Sequence, residues 1–134
     1  MRVLLDTHVW LWWLLGSDKL PTRERDELDR LASSSALGIA AVTLWETQML
    51  HAKKRLTLNR SFNSWIRDAA APNVVQVLAL DVDVVIALNE LPASFHGDPA
   101  DRLIVATARA HRLSLATHDT AIRRSRVSTL WKPG

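Results

Sequence analysis

The sequence predicts an α/β fold, one domain over residues 1–134 with a central, mainly parallel β-sheet flanked by helices. Two observations carry this. Short apolar runs stop abruptly on polar residues, as strands buried on both faces do. Between them lie stretches with helical spacing and helix punctuation, so strand and helix alternate along the chain.

Val3-Leu4-Leu5 opens the chain as a strand and stops on Asp6. Asp6-Thr7-His8 leads into a short helix over Val9 to Leu15, closed by Gly16, because glycine tolerates the left-handed conformation at a helix end. That helix is apolar almost all round and therefore largely buried. Trp10, Trp13 and Leu14 share one face, and Trp12 points elsewhere as a candidate interface residue. Pro21 at the first helical position opens a second helix to about Ser33, with Leu28 and Leu31 as its apolar stripe. Leu37 to Val42 reads as a second buried strand. Thr43-Leu44-Trp45-Glu46 then reads as a capping box, hydroxyl and carboxylate each satisfying a free backbone N–H, at the start of a helix to about Lys54. Basic residues from His51 to Arg55 suit the end of its dipole.

A further helix is expected from Ser61 to Ala71, with Phe62, Trp65 and Ile66 at helical spacing, broken at Pro72. Val74 to Leu80 is a third strand, and Asp81 to Leu91 a helix with Val84, Val85 and Leu88 inward. After a loop from Leu91 to Gly97, Asp98 fits an N-cap, Pro99 the first helical position and Asp101 the third, in a helix to about His111. Leu113 to Thr117 is a strand, Thr120 to Arg124 a helical turn, and Val127 to Trp131 a last strand.

A chain of 134 residues can bury one sizeable core. Its net charge of +3 leans toward an anionic partner such as nucleic acid. With no cysteine there is no disulfide framework and no thiolate metal site, which fits a reducing cytoplasm. Asp6 and His8 interrupt the N-terminal apolar stretch, against a secretory signal. The run Val9 to Leu15 is too short to cross a bilayer, so no membrane partner is expected.

Four acids fall at element boundaries: Asp6, Glu46, Asp101 and Asp119. In a parallel α/β sheet the strand C-termini and the following helix N-termini share one edge. Asp6, Glu46 and Asp119 should meet there, joined by Asp101 if its helix packs the same way round. Clustered carboxylates repel unless a cation neutralises them, and all-oxygen clusters suit Mg²⁺ or Mn²⁺. Such ions serve phosphodiester hydrolysis. Singly, Glu46 is explained by the capping box and Asp101 by its helix N-terminus; the conjunction carries the inference.

Val3-Leu4-Leu5-Asp6-Thr7-His8-Val9, Thr43-Leu44-Trp45-Glu46, Asp98-Pro99-Ala100-Asp101-Arg102-Leu103-Ile104 and Leu115-Ala116-Thr117-His118-Asp119 follow one another over essentially the whole chain. In that order they resemble the motifs of PIN-domain ribonucleases, above all the VapC toxins of type II toxin–antitoxin systems. The resemblance implies a PIN-like three-layer fold and a Mg²⁺- or Mn²⁺-dependent endoribonuclease. Metal would be held by Asp6, Asp101 and Asp119, with Glu46 bound directly or through water. Thr7 and Thr117 would hydrogen-bond the acids or metal-bound water, and Asp98 could stand just behind them. It also implies a cognate antitoxin, an RNA substrate, a homodimer, and operator DNA reached only through the antitoxin.

Candidate phosphate contacts are Lys53, Lys54, Arg55, Arg102, Arg123, Arg124 and Arg126. His8 and His118 flank two of the acids, which keeps open attack by the RNA 2′-hydroxyl under general acid–base catalysis. The rival readings are a PIN-like nucleic-acid-binding protein with an inactive site and another Mg²⁺-dependent phosphoryl-transfer enzyme.

Overall fold

A computed structural model describes residues 1–133. Strands β1 (Val3–Leu5), β2 (Leu37–Ala40), β3 (Gln76–Leu78) and β4 (Ser114–Ala116) form one sheet in the order β3-β2-β1-β4, with every pair parallel. Parallel neighbours need long crossovers. Helices α1 (Thr7–Leu15) and α2 (Thr22–Ser33) lead from β1 to β2, and α3 (Ala41–Ala52) and α4 (Phe62–Ala69) from β2 to β3. Helices α5 (Val82–Asn89) and α6 (Pro99–Ala110) lead to β4, and α7 (Thr120–Ser125) follows it.

The layers follow from strand alternation. Val3 and Leu5 of β1 point into a core shared with Trp10 of α1, Leu28 and Leu31 of α2 and Trp65 of α4. Leu4 between them points into the opposite core, with Val84 of α5, Ile104 of α6 and Ile122 of α7. The three residues of β1 thus hold helices on both faces, and the strand runs out at the edge where Asp6 begins α1.

Several expectations need correction. Helix α3 begins at Ala41 directly after β2, so Thr43 is not its cap; Ala40 is, and makes no side-chain cap. The capping box does not form. Ala41 and Val42 continue as helix, which puts Thr43 fully inside and Glu46 one turn further along. Pro21 stands at the cap of α2 rather than inside it, and Val85 is exposed on α5 where only Val84 is fully buried. The segment after α7 forms no strand; it touches the sheet through one parallel bridge, Leu115 to Leu130.

Leu4 is fully buried in the strand that carries the site. Leu4→Ala should cost about 2–5 kcal/mol in urea unfolding, while Val85→Ala on the exposed face of α5 should stay within about 0.5 kcal/mol.

Candidate active site

Three of the acids sit where they do because each begins a helix. Asp6 caps α1, its Oδ1 accepting from the Val9 N–H at 2.9 Å. Asp119 caps α7 through the Ile122 N–H at 2.9 Å, and Asp98 caps α6 through the Asp101 N–H at 2.8 Å. A carboxylate is favoured there because it satisfies a free N–H and faces the positive end of the helix dipole. The N-cap explanation therefore extends to Asp6 and Asp119, for which the sequence offered no structural reason. In each of them Oδ1 does the capping.

Asp101 is delivered by the loop before α6. Phe95 is buried, and its ring lies 2.5 Å from where a side chain on Gly97 would start, so glycine lets the chain pass over it. Arg102 Nη1 donates to the Phe95 carbonyl at 2.9 Å, and its guanidinium lies over the ring at 5.9 Å. Through these contacts the arginine clamps the loop.

Glu46 is held by hydroxyls. Thr7 donates to Glu46 Oε1 and lies 3.0 Å from the Thr43 hydroxyl. Each hydroxyl has one proton, so with Thr7 donating to Glu46, Thr43 donates to Thr7. Both threonines are buried. The Thr43 contribution escapes sequence reading because the capping-box pattern assigns its hydroxyl elsewhere.

These pieces line one cavity of about 340 Å³, formed by Asp6, Thr7, His8, Trp12, Glu46, Asp98, Asp101, Ile104, His118 and Asp119. Trp12 lies between the imidazoles of His8 and His118, with ring centres 6.1 and 5.6 Å away. His118 Nε2 meets Glu24 of α2 at 2.8 Å. Nothing local in the sequence marks Glu24, which lies 94 residues away from its partner. Thr117 stands behind the acids: its Oγ1 accepts from the Asp119 N–H at 3.0 Å, and its hydroxyl favours the ionised form of Asp6.

Apart from Arg102 and Arg123, the basic candidates lie away from the acids. Lys53, Lys54 and Arg55 are exposed beyond the C-terminus of α3; from Glu46 to the helix end at Ala52 the rise is about 9 Å. Arg123 Nη1 donates to the Thr117 carbonyl at 3.0 Å, fixing the end of β4. Arg124 and Arg126 are exposed toward the far end of α7.

Negative charge in the cavity is under-compensated. Burial, followed by the charges of Asp98, Asp119, Glu46 and Asp6, raises the Asp101 carboxyl to about 7. Burial also raises Asp6, against the Thr117 and Val9 hydrogen bonds, and raises Glu46, against the Thr7 hydrogen bond. An all-oxygen set short of positive charge fits a hard divalent cation. Among the described residues no three acids or imidazoles already stand as a closed ligand set, so side chains would have to adjust around an ion.

Residues 3–127 match the family described as PIN domain. The chain is 34% identical over 124 residues to Ribonuclease VapC22 of Mycobacterium tuberculosis, covering 92% of each. Its fold is similar to that in the crystal structure of VapBC2 from Rickettsia felis bound to a promoter DNA fragment (TM-score 0.73, 18% identity, 98% of each chain). It is also similar to that of FitAcB from Neisseria gonorrhoeae (TM-score 0.69, 22% identity, 98% of each).

Asp101 makes the metal-free protein pH-sensitive. Its carboxyl is raised to about 7 from 3.8, so between those values the folded state keeps a proton that the unfolded state has released. Stability therefore falls as pH rises through that window. Thermal melts of metal-free protein from pH 4 to pH 8 should show this decline, and Asp101→Asn should flatten it and raise the melting temperature at pH 8.

Proposed function

The chain belongs to the PIN-domain family, and we propose that it is a Mg²⁺- or Mn²⁺-dependent endoribonuclease, the toxin of a type II toxin–antitoxin pair. The observation that carries this is the convergence of Asp6, Glu46, Asp101 and Asp119, from four different elements, on one cavity. The similarity to a ribonuclease across 92% of the chain supports it.

Asp6, Asp101 and Asp119 would hold the cation, with Glu46 contributing directly or through water. When bound, a divalent cation activates water and offsets the charge that develops on a phosphodiester undergoing cleavage. The chain's own residues prepare the place. Capping bonds from Val9 and Ile122 hold the Asp6 and Asp119 carboxylates at the cavity. Thr7, backed by Thr43, orients Glu46 and supports its ionised form. Asp98 begins the helix that carries Asp101 and adds negative charge beside it. Trp12 gives the cavity an apolar wall against which a base of single-stranded RNA can stack.

The reading includes a cognate antitoxin, a homodimer, operator DNA reached only through the antitoxin, and action in the cytoplasm. The Rickettsia felis relative was solved as VapBC2 on promoter DNA, which supports the antitoxin and the DNA. No helix among the described residues is long and apolar enough to cross a membrane.

Asp6→Asn should abolish RNA cleavage, as should chelation of divalent ions, with the fold retained. Thr7→Val should lower activity about 10–100-fold, the usual effect of removing a group that orients a ligand. Products should carry 5′-phosphate and 3′-hydroxyl ends. A 2′,3′-cyclic phosphate would instead assign the chemistry to His8 and His118. Unchanged cleavage by Asp6→Asn would refute the acidic site.

A further inference from the structure

A second cavity, of about 460 Å³, is lined by Arg109, Arg112, Arg126 and Ser128. It lies at the other edge of the sheet: Arg109 is in the last turn of α6, and Arg112 shortly precedes β4. From Asp101 to Arg109 the helix rises about 12 Å, so the two cavities are separated by most of the length of α6.

Arg109, Arg112 and Arg126 line this cavity, all three are exposed, and none has an acidic partner among the described residues. Beside them the Ser128 hydroxyl is buried without a hydrogen-bond partner. Arg109 is fixed by the bond from its Nη1 to the Val127 carbonyl at 2.9 Å. Arg112 and Arg126 both adopt positive φ, 55° and 57°, the region that favours glycine at a helix end. Dipole compensation is a poor account of them, because Arg109 already serves α6, and Arg123 and Arg124 serve α7. Three unpaired cationic residues around one cavity, beside an uncompensated hydroxyl, describe a place for an oxyanion.

Helix α7 connects the two ends. Asp119 at its start lines the acidic cavity, Arg123 and Arg124 fill its last turn, and Arg126 just beyond lines the arginine cavity. We propose that the arginine cavity is a phosphate subsite that takes a backbone phosphate of the RNA strand, a few nucleotides from the scissile one. The identity of the strand rests on the ribonuclease reading; the anion chemistry does not.

The test uses Arg112→Gln/Arg126→Gln, which leaves Arg109 and its bond to Val127 in place. Binding of a uridine oligonucleotide long enough to reach both edges is followed by anisotropy against salt, on an Asp6→Asn background that leaves the RNA uncut. The double variant should bind more weakly, with the salt slope reduced by about 0.7 for each phosphate that is no longer neutralised. It should bind a uridine dinucleotide as before, and Arg112→Lys/Arg126→Lys should restore most of the affinity. Inorganic phosphate should raise the melting temperature of the parent more than that of the glutamine variant. An unchanged salt slope and length preference would overturn the RNA subsite, including the case in which the variant loses only an acidic peptide ligand such as polyglutamate. An equal phosphate response would overturn the anion site itself. Failure of the ribonuclease reading is separable, because it would appear as intact RNA with the wild-type protein whatever the variants bind.

Discussion

The constraint on which the rest of the structure depends is the crowding of carboxylates at one edge of a parallel sheet. Burial and mutual repulsion oppose their ionisation, which is visible in the raised Asp101, Glu46 and Asp6. What holds the charges there is local. Asp6, Asp98 and Asp119 each satisfy a helix N–H, and Thr7 donates to Glu46. A cap interaction contributes about 1 kcal/mol, modest beside the cost of burying several like charges. The cavity is therefore incomplete in electrostatic terms, and a cation is the simplest completion.

Placement of the acids follows from topology. Strands β1 and β4 are neighbours and parallel, so residues just after them, Asp6 and Asp119, meet although they lie far apart in the chain. β2 lies on the other side of β1 and sends α3 back from the same edge, bringing Glu46. Helix α6 begins at the cavity with its Asp98–Asp101 turn because Gly97, Phe95 and Arg102 fold the preceding loop beneath it. Positive charge collects at the opposite edge, around Arg109, Arg112 and Arg126. The net charge of +3 thus covers one cavity lined by acids and another lined by arginines.

Much of this was legible in the sequence. The apolar run ending on Asp6 and the Asp-Pro-x-Asp helix start are strong local signals, and both elements form as read. The α3 boundary was not legible. Thr43 to Glu46 satisfies the capping-box pattern, yet the strand ends early and the threonine is used from inside the helix. Sequence-local rules cannot show that Thr7, 36 residues away, competes for the same hydroxyl. Arg102 escapes for a similar reason: its partner is a backbone carbonyl of the preceding loop, invisible to charge patterning. The last segment reads as a strand by composition, but it lies at the margin of the sheet and makes a single bridge.

Asp6, Glu46, Asp101 and Asp119 together make the proposed cation site. Calorimetric titration of Mn²⁺ into the metal-free protein near neutral pH tests it most directly. The structure predicts saturable binding accompanied by proton release from Asp101, with both lost in Asp6→Asn. Absence of binding to the wild-type protein, or undiminished binding to the variant, would contradict it.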